Sequence, residues 1–264
     1  MRKTPSTIAV VTAGWNPAAD DPLIEHTQGR PKALLPIAGR PMIAHVVHAL
    51  ARSQYIDAVI IVGLDPAAAP FDTPVEYLPD AGGMIDNARA GIDHALARHP
   101  QADAVLLCSS DVPTITPAIV DDFIQDCWCT DHDIYYSIVE RSVMEARFPQ
   151  SQRSYLHLRE GDFAGGDLLL LRRLTTHDHD ALMRKLAAAR KSVLRQAMML
   201  GPSIFMRYVT RRLTLPAIEK RAVELFGMRV RALSCPHAEV GMDVDKPVQL
   251  RIVRADLAAH ARQS

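Results

Sequence analysis

A chain of 264 residues is long enough to bury a large core without disulfide or metal staples, and 48% hydrophobic with 23% charged residues excludes global disorder and low-complexity or collagen-like chains. Thirty basic and thirty acidic residues cancel, so whole-chain charge points to no nucleic-acid partner, and none is expected. The distribution is uneven, however: between Arg172 and Arg231 fourteen Lys and Arg stand against four Asp and Glu, a net of +10 that the remaining residues offset.

The first apolar run, Thr7 to Thr12, is short and flows into a glycine turn, which predicts a buried strand and not a leader peptide. Pro41 to Ser53 carries apolar residues at helical spacing with proline at its first turn. Strands are then predicted at Asp57 to Val62 and Ala104 to Cys108, with helices at Asp86 to His99 and Pro117 to Asp126. This alternation, with continuously apolar strands, predicts an α/β three-layer, mostly parallel, Rossmann-like sheet covered on both faces. Further strands are expected at Asp133 to Val139, Asp167 to Leu171 and Arg229 to Leu233, the last closing the sheet. Between the last two lies a basic helical insertion of about 174–228, with helices at Asp180 to Leu200, Ile204 to Leu213 and Leu215 to Phe226. With no internal repeat and no polar linker, residues 1–264 read as one domain carrying that insertion. No stretch approaches eighteen uncharged apolar residues, so no spanning helix is expected. The four cysteines form no disulfide framework, which suits a reducing cytoplasm, and Cys127-Trp128-Cys129 is read as structural.

Ligands of such sheets bind beyond the carboxyl ends of the strands. There the first strand empties into Ala13 and Gly14, a turn that can offer backbone N–H groups to an anion, and Lys32 follows in GRPKALLPIAGRP as a point charge for phosphate. Asp111, in CSSDVP, stands where the third strand emerges, a place from which a carboxylate can hold a divalent cation on triphosphate oxygens. The plainer reading of Asp111 is a turn or helix-capping acid.

The segment around Lys32 resembles the signature of NTP transferases of the glycosyltransferase-A-like fold, such as molybdenum-cofactor guanylyltransferases and sugar-phosphate nucleotidylyltransferases: a strand, a glycine-rich loop, an arginine, then a stretch like KxLxPxxGxPxL. In place of the compact loop this chain has the longer Trp15 to Gly29, and the resemblance gives the arginine's place to Arg30. CSSDVP, with Ser110 beside Asp111, is similar to the family's metal-binding D-x-P segment, and GMDVDKPVQL to its C-terminal D-x-D segment. The resemblance therefore implies Asp111 and Asp245 as ligands of Mg2+ (or Mn2+), with Asp243 as an accessory, since i and i+2 carboxylates on an extended segment share a face. It also implies a nucleotide-binding role for Gly82, Gly83 and Asn87, and an acceptor-binding role for Arg159, Gly165, Gly166 and Asp167, the last standing where relatives carry asparagine. Capping by Asp86 and Asn87 is the plainer alternative for the former segment.

The implied reaction is in-line attack of an acceptor phosphate on the α-phosphorus of an NTP with pyrophosphate leaving, which asks for charge neutralisation and alignment and for no protein nucleophile or general base. Lys32, Asp111 and Asp245 are its expected catalytic residues, and the eleven histidines need no part in it. The expected partners are an NTP and a phosphorylated small-molecule or lipid-linked acceptor. A dinucleotide-binding oxidoreductase would want GxGxxG where the chain has TAGWNP. A metal-dependent glycosyltransferase using a nucleotide sugar and a non-catalytic nucleotide-binding module stay open as alternatives. The basic insertion, with Lys185, Arg190, Lys191, Arg195, Arg207, Arg211 and Arg212 beside Met198, Met199, Leu200, Ile204, Phe205, Met206, Tyr208 and Val209, reads either as a lid or contact between copies in a homo-oligomer, or as a peripheral contact of an otherwise cytoplasmic enzyme with an anionic membrane.

Overall fold

The computed structural model describes residues 5–15, 21–172 and 201–260. The long loop's residues 16–20 and the helix expected at Asp180 to Leu200 lie outside them. In chain order the strands are β1 (Thr7–Thr12), β2 (Pro36–Ile37), β3 (Arg40–Pro41), β4 (Ile56–Val62), β5 (Glu76–Leu78), β6 (Ala104–Ser109), β7 (Ile134–Glu140), β8 (Leu156–Leu158), β9 (Gly161–Arg172) and β10 (Val230–Ser234). The helices are α1 (Ile24–Thr27), α2 (Met42–Ala51), α3 (Met84–Arg98), α4 (Pro117–Cys127), α5 (Arg141–Arg147), α6 (Pro202–Val209), α7 (Leu215–Phe226) and α8 (Pro247–His260). Among the described residues the main sheet has eight strands in the order β10-β7-β9-β6-β1-β4-β5, with β8 paired to the start of β9.

β1 is parallel to β4 and β6, β5 to β4, and β10 to β7, while β9 runs antiparallel between β6 and β7. The apolar strand residues alternate between two cores, which is why β1 has no polar face. Ala9 and Val11 pack with Ile43, Val47 and Leu50 of α2, Phe123 and Ile124 of α4 and Leu250 and Val253 of α8. Ile8 and Val10 face the opposite layer, where Ala95, Ile92 and Leu96 of α3 cover them. Helix starts follow local chemistry: the Thr116 and Thr214 hydroxyls accept the amides of Ile119 and Ala217, each with proline in the first turn, and Gly227 at φ 65° ends α7.

Among the described residues the expected elements recur with end shifts of up to four residues, the largest at Ile204 to Leu213, which is observed as Pro202–Val209, except that β9 has twelve residues where Asp167 to Leu171 was expected. Most of the stretch from Arg159 to Asp167, to which the resemblance gave an acceptor-binding role, is thus strand. The sequence pattern missed β5 and β8, three residues each at the sheet's margins, and α5, which leaves β7 with no intervening loop. Among the described residues no helix is long and apolar enough to cross a membrane.

Candidate active site

The carboxyl ends of β1, β4 and β6 open on one edge of the sheet, and Lys32, Asp111 and Asp245 gather there. Pro31 leads into a single 3-10 turn, Lys32–Leu34, which aims Lys32 across that edge. Its ammonium donates to Asp111 Oδ2 and, at 2.8 Å, to Asp245 Oδ1. Asp111 is buried, and its other oxygen accepts the hydroxyl of Ser109, the last residue of β6. The C-terminal segment is fastened directly to this point: the Val244 amide donates to the Asp111 carbonyl at 3.0 Å, and the Asp245 amide to the buried Gln249 Oε1 at 2.9 Å. Residues more than a hundred positions apart thereby meet on one ammonium.

The electrostatics of this meeting are lopsided. Burial works against the charge of Lys32, but Asp111 and Asp245 outweigh it and hold the ammonium well above the ordinary lysine range. Asp167, on β9 level with the end of β6, is pushed up to about 7, first by desolvation and then by the charges of Asp111 and Asp245, against the opposing pull of Arg153 and Lys32. Beside it the Tyr136 phenol is pushed up to about 12 by burial and by Asp167, and stays a hydroxyl at neutral pH.

Asp243 does not join Asp245 as the sequence led us to expect. Its carboxylate is paired with the guanidinium of Arg153, a residue that no motif singled out. Among the described residues no group of three His, Cys, Asp or Glu side chains is arranged to hold a metal ion. Arg153 competes for Asp243, which leaves Asp111 with Asp245 as the candidate pair for a cation. Two carboxylates suit Mg2+, which keeps several waters and takes further oxygens from phosphates. The carboxyls of Asp111 and Asp245 both meet the one ammonium of Lys32, with Asp167 nearby, a surplus of negative charge that a divalent cation would offset.

On the other side of β1, three loops touch. Gly14 is exposed and its backbone lies so close to Asn87 that an added Cβ would stand 2.2 Å from Asn87 Nδ2. Gly63, at φ 91°, approaches the Gly14 backbone equally closely. Buried Asn87 accepts the Ala81 amide at 2.7 Å and donates to Asp80 Oδ1 at 2.9 Å, and Asp80 also accepts the Gly82 amide. Asn87 therefore shapes the loop carrying Gly82 and Gly83. Ala13 is buried and its amide donates to the Val62 carbonyl at 2.8 Å, so the exposed backbone of this turn begins at Gly14. Ser110 is likewise buried, its amide given to Thr12 at 3.2 Å. Arg30 is exposed after a turn of Gln28 and Gly29 in left-handed conformations.

The acceptor residues separate. Gly165 and Gly166 stand where the β7–β9 register shifts: an added Cβ would meet Tyr136 Oη at 2.4 Å or Ser137 Oγ at 2.3 Å, and Ser137 in turn bonds the Leu168 backbone. The glycine pair thus permits close approach of the two strands, and the bulge aims Asp167 at the Lys32 cluster. Arg159 is not brought there. It sits in the β8–β9 turn with its amide on the Leu213 carbonyl, about 20 Å of extended strand from Asp167. Residues that sequence reasoning missed are Arg153, Tyr136, Ser109 and Asp80. Of these only Ser109 carried a signal, two residues before Asp111 at the end of an apolar strand.

A family model described as the MobA-like NTP transferase domain matches residues 27–199, well over half of the chain. The chain belongs to this family of nucleotidyltransferases. A Thermus thermophilus protein described as a hypothetical transferase is 34% identical, with a TM-score of 0.77 over 93% of this chain and 99% of that one. Two solved enzymes share the fold at 16% and 11% identity. One is CMP:2-keto-3-deoxy-manno-octonic acid synthetase with CTP, at a TM-score of 0.57 over 97% of this chain and 99% of that one. The other is 4-diphosphocytidyl-2C-methyl-D-erythritol synthase from Anaerococcus prevotii, at 0.56 over the same shares. Among curated relatives, the bifunctional protein GlmU of Rhodospirillum rubrum is 34% identical over 100 residues, 36% of this chain and 21% of that protein. That of Sinorhizobium fredii is 37% identical over 92 residues, 33% of this chain and 20% of that one. The chain thus spans about a fifth of the length of the curated relatives it matches.

Proposed function

We propose that this MobA-like NTP transferase moves a nucleoside monophosphate from an NTP to a phosphorylated acceptor, a sugar phosphate, a cofactor or a lipid head-group phosphate, with release of pyrophosphate and with Mg2+ or Mn2+ required. The observation that carries the reading is the bridging of Asp111 and Asp245 by Lys32 at the carboxyl edge of the sheet.

In this reading Asp111 and Asp245 hold the cation, which supplies charge neutralisation and alignment on the phosphate oxygens. Lys32 lies between the two ligands, so a triphosphate brought to the carboxylates meets the ammonium as well, and charge developing on the leaving pyrophosphate falls within its reach. The elevated proton affinity of Lys32 keeps it cationic throughout. Gly14 and the Gly82–Gly83 loop offer a neutral, closely packed surface for base and ribose, with Ala13, Ser110 and Asn87 as its buried supports and Arg30 at its margin. Gly165, Gly166 and Asp167 face the other side of the cluster, where the acceptor would approach. An acceptor phosphate is already ionised at neutral pH, so no base is asked of the protein. A cytoplasmic enzyme suits these substrates.

The decisive experiment measures pyrophosphate release from the four NTPs against a panel of phosphorylated acceptors, with Mg2+ present and absent. Turnover is expected with one NTP and metal only, and Asp111→Ala should lower it by about a thousandfold while the circular dichroism spectrum is kept. Wild-type turnover by Asp111→Ala at saturating Mg2+ would overturn the assignment. Hydrolysis or transfer from a nucleotide sugar, with NTPs inert, would favour the glycosyltransferase alternative, and tight NTP binding without turnover a binding module.

One observation favours a second feature. Met206 and Val209 are more than half exposed on α6, beside exposed Arg207, Arg211 and Arg212, and α6 packs through Ile204 on the β8–β9 hairpin. This combination suits an anionic lipid surface and a lipid-linked acceptor. Co-sedimentation with anionic but not neutral vesicles is expected, weakened at physiological salt, and equal negligible binding to both would leave α6 as a lid or a contact between copies.

A further inference from the structure

The segment that carries Asp245 is held from a side the family motifs do not include. Between α5 and β8 the chain makes a loop in which Gln150 and Gln152 take left-handed conformations, φ 66° and 54°, while Ser151 between them is buried and its amide donates to the Phe148 carbonyl at 3.3 Å. Non-glycine residues avoid that region of backbone space, and two of them so close together persist only where the surroundings fix them. Two neighbouring features fix them. Phe148 is buried in the main core, and the second left-handed residue, Gln152, with Arg153 after it, grasps the Asp243–Lys246 segment at two points. Arg153 pairs with Asp243, and the Gln152 carbonyl accepts Lys246 Nζ at 2.8 Å. Asp245 lies between these two points of attachment.

Arg153 is a costly choice for a mere surface pair. Its side chain and that of Asp243 are 13% and 14% exposed, and a second guanidinium nitrogen donates to the Gly165 carbonyl at 3.4 Å. One side chain therefore ties three stretches together: its own loop, the bulge that aims Asp167, and the segment that carries Asp245. Desolvated ion pairs add little net stability but fix geometry, because the alternative arrangements leave a buried charge alone.

We propose that loop 149–153 is a latch that sets the position of Asp245, with Arg153 as its positioning residue and Lys246 as its second catch. The inference rests on the proposed reading of Asp245 as a metal ligand and names what orients that ligand from outside the Lys32 cluster. Oriented ligands bind metal more tightly than free ones, and loss of such support costs about 10- to 100-fold in affinity.

The test uses the full chain as Arg153→Gln, Arg153→Lys and Lys246→Gln, the last a half-buried side chain bonded to a backbone carbonyl, so that its loss leaves no buried charge alone. Two readouts are taken: hydrogen exchange of the amides of 242–246 without metal, and Mn2+ affinity by calorimetry. Faster exchange across 242–246 in Arg153→Gln and Lys246→Gln is expected, with Mn2+ binding at least about 10-fold weaker in Arg153→Gln and partly rescued in Arg153→Lys. Unchanged exchange in both Gln variants overturns the latch. Faster exchange with unchanged Mn2+ affinity overturns its bearing on Asp245. Should Arg153→Gln fail to fold, Arg153→Lys and Lys246→Gln decide by the same two readouts. A wild-type chain that binds no Mn2+ would instead count against the metal reading itself, and the exchange result would still decide whether the segment is latched. If Arg153 served the acceptor directly, its KM would rise on substitution while Mn2+ affinity and exchange stayed as in the wild type, which also overturns the proposal.

Discussion

On the β1–β4–β5 side of the sheet edge, Gly14, Gly63, Asp80 and Asn87 meet through close backbone approach and a carboxylate spent on N–H groups. On the β6–β9–β7 side, Asp111, Asp167, Asp243 and Asp245 crowd four carboxyls around the two cations Lys32 and Arg153. The first side is limited by shape and the second by charge. A substrate with a neutral ring at one end and a chain of phosphates at the other, as proposed above, would match both, and the two sides together support that proposal more than either alone. The two sides should also fail differently, one by steric displacement and the other by pH.

After the loss of turnover expected of Asp111→Ala on the charged side, the next largest effect is expected on the side limited by shape. In Gly14→Ala the new methyl would stand 2.2 Å from Asn87 Nδ2 and 3.1 Å from Asp80 Oδ1, and both belong to a hydrogen-bonded loop with no slack. The variant should lose about 1–3 kcal/mol of stability and raise the NTP KM by about tenfold or more, with the metal requirement unchanged. Thermal melts and pyrophosphate release at varied NTP check this. Lost stability with an unchanged NTP KM would separate the neutral side from nucleotide binding.

A smaller effect, with a distinct pH signature, is expected at Asp167. Its folded pKa of about 7 lies above the ordinary 3.8, so the native state holds this proton more tightly than the unfolded chain does. The stabilisation is fully present below about pH 4 and is lost as pH rises through 7, leaving an ionised carboxylate among like charges. Asp167→Asn should therefore match the wild type near pH 4 and exceed it at pH 8 without metal by about 1–3 kcal/mol. Added Mg2+ should narrow the gap, because a bound cation offsets the same repulsion. Melts at the two pH values, with and without Mg2+, supply the measurement, and a gap that does not depend on pH would remove the charge argument.

How much of this was legible in sequence follows the same division. β1, β4 and β6 and the helices between them were readable because continuous apolar runs bounded by turns have few other solutions, and Lys32, Asp111 and Asp245 because they sit at the ends of those runs or in segments that resemble the family's motifs. Arg153 was not readable: it lies in an irregular loop with no periodicity, and its partner Asp243 is ninety positions away. The length of β9 was hidden by its own glycines, since Gly165 and Gly166 read as loop residues until Ser137 and Tyr136 of the neighbouring strand show why a side chain cannot stand there. The direction of β9, antiparallel in an otherwise parallel setting, had no local signature either, because strand direction is fixed by connections and not by composition.

The smallest effect is expected at Arg159, and it bears on how far the charged side extends. The motif placed this arginine with Gly165, Gly166 and Asp167, but an antiparallel strand of twelve residues cannot fold back on itself, and Arg159 sits at its far turn. Its structural bond to Leu213 is made by the backbone amide and survives substitution. Its side chain is exposed, so Arg159→Ala should change stability by less than about 0.5 kcal/mol. With a small acceptor the KM should move less than about twofold, since a charge some 20 Å away across water lies beyond the Debye length at physiological salt. Acceptor titrations of this variant at low and physiological salt provide the check. A several-fold rise in acceptor KM at both salts would mean that the acceptor itself spans the β8–β9 hairpin, and would mark it as a long anionic or lipid-linked molecule in place of a small phosphate.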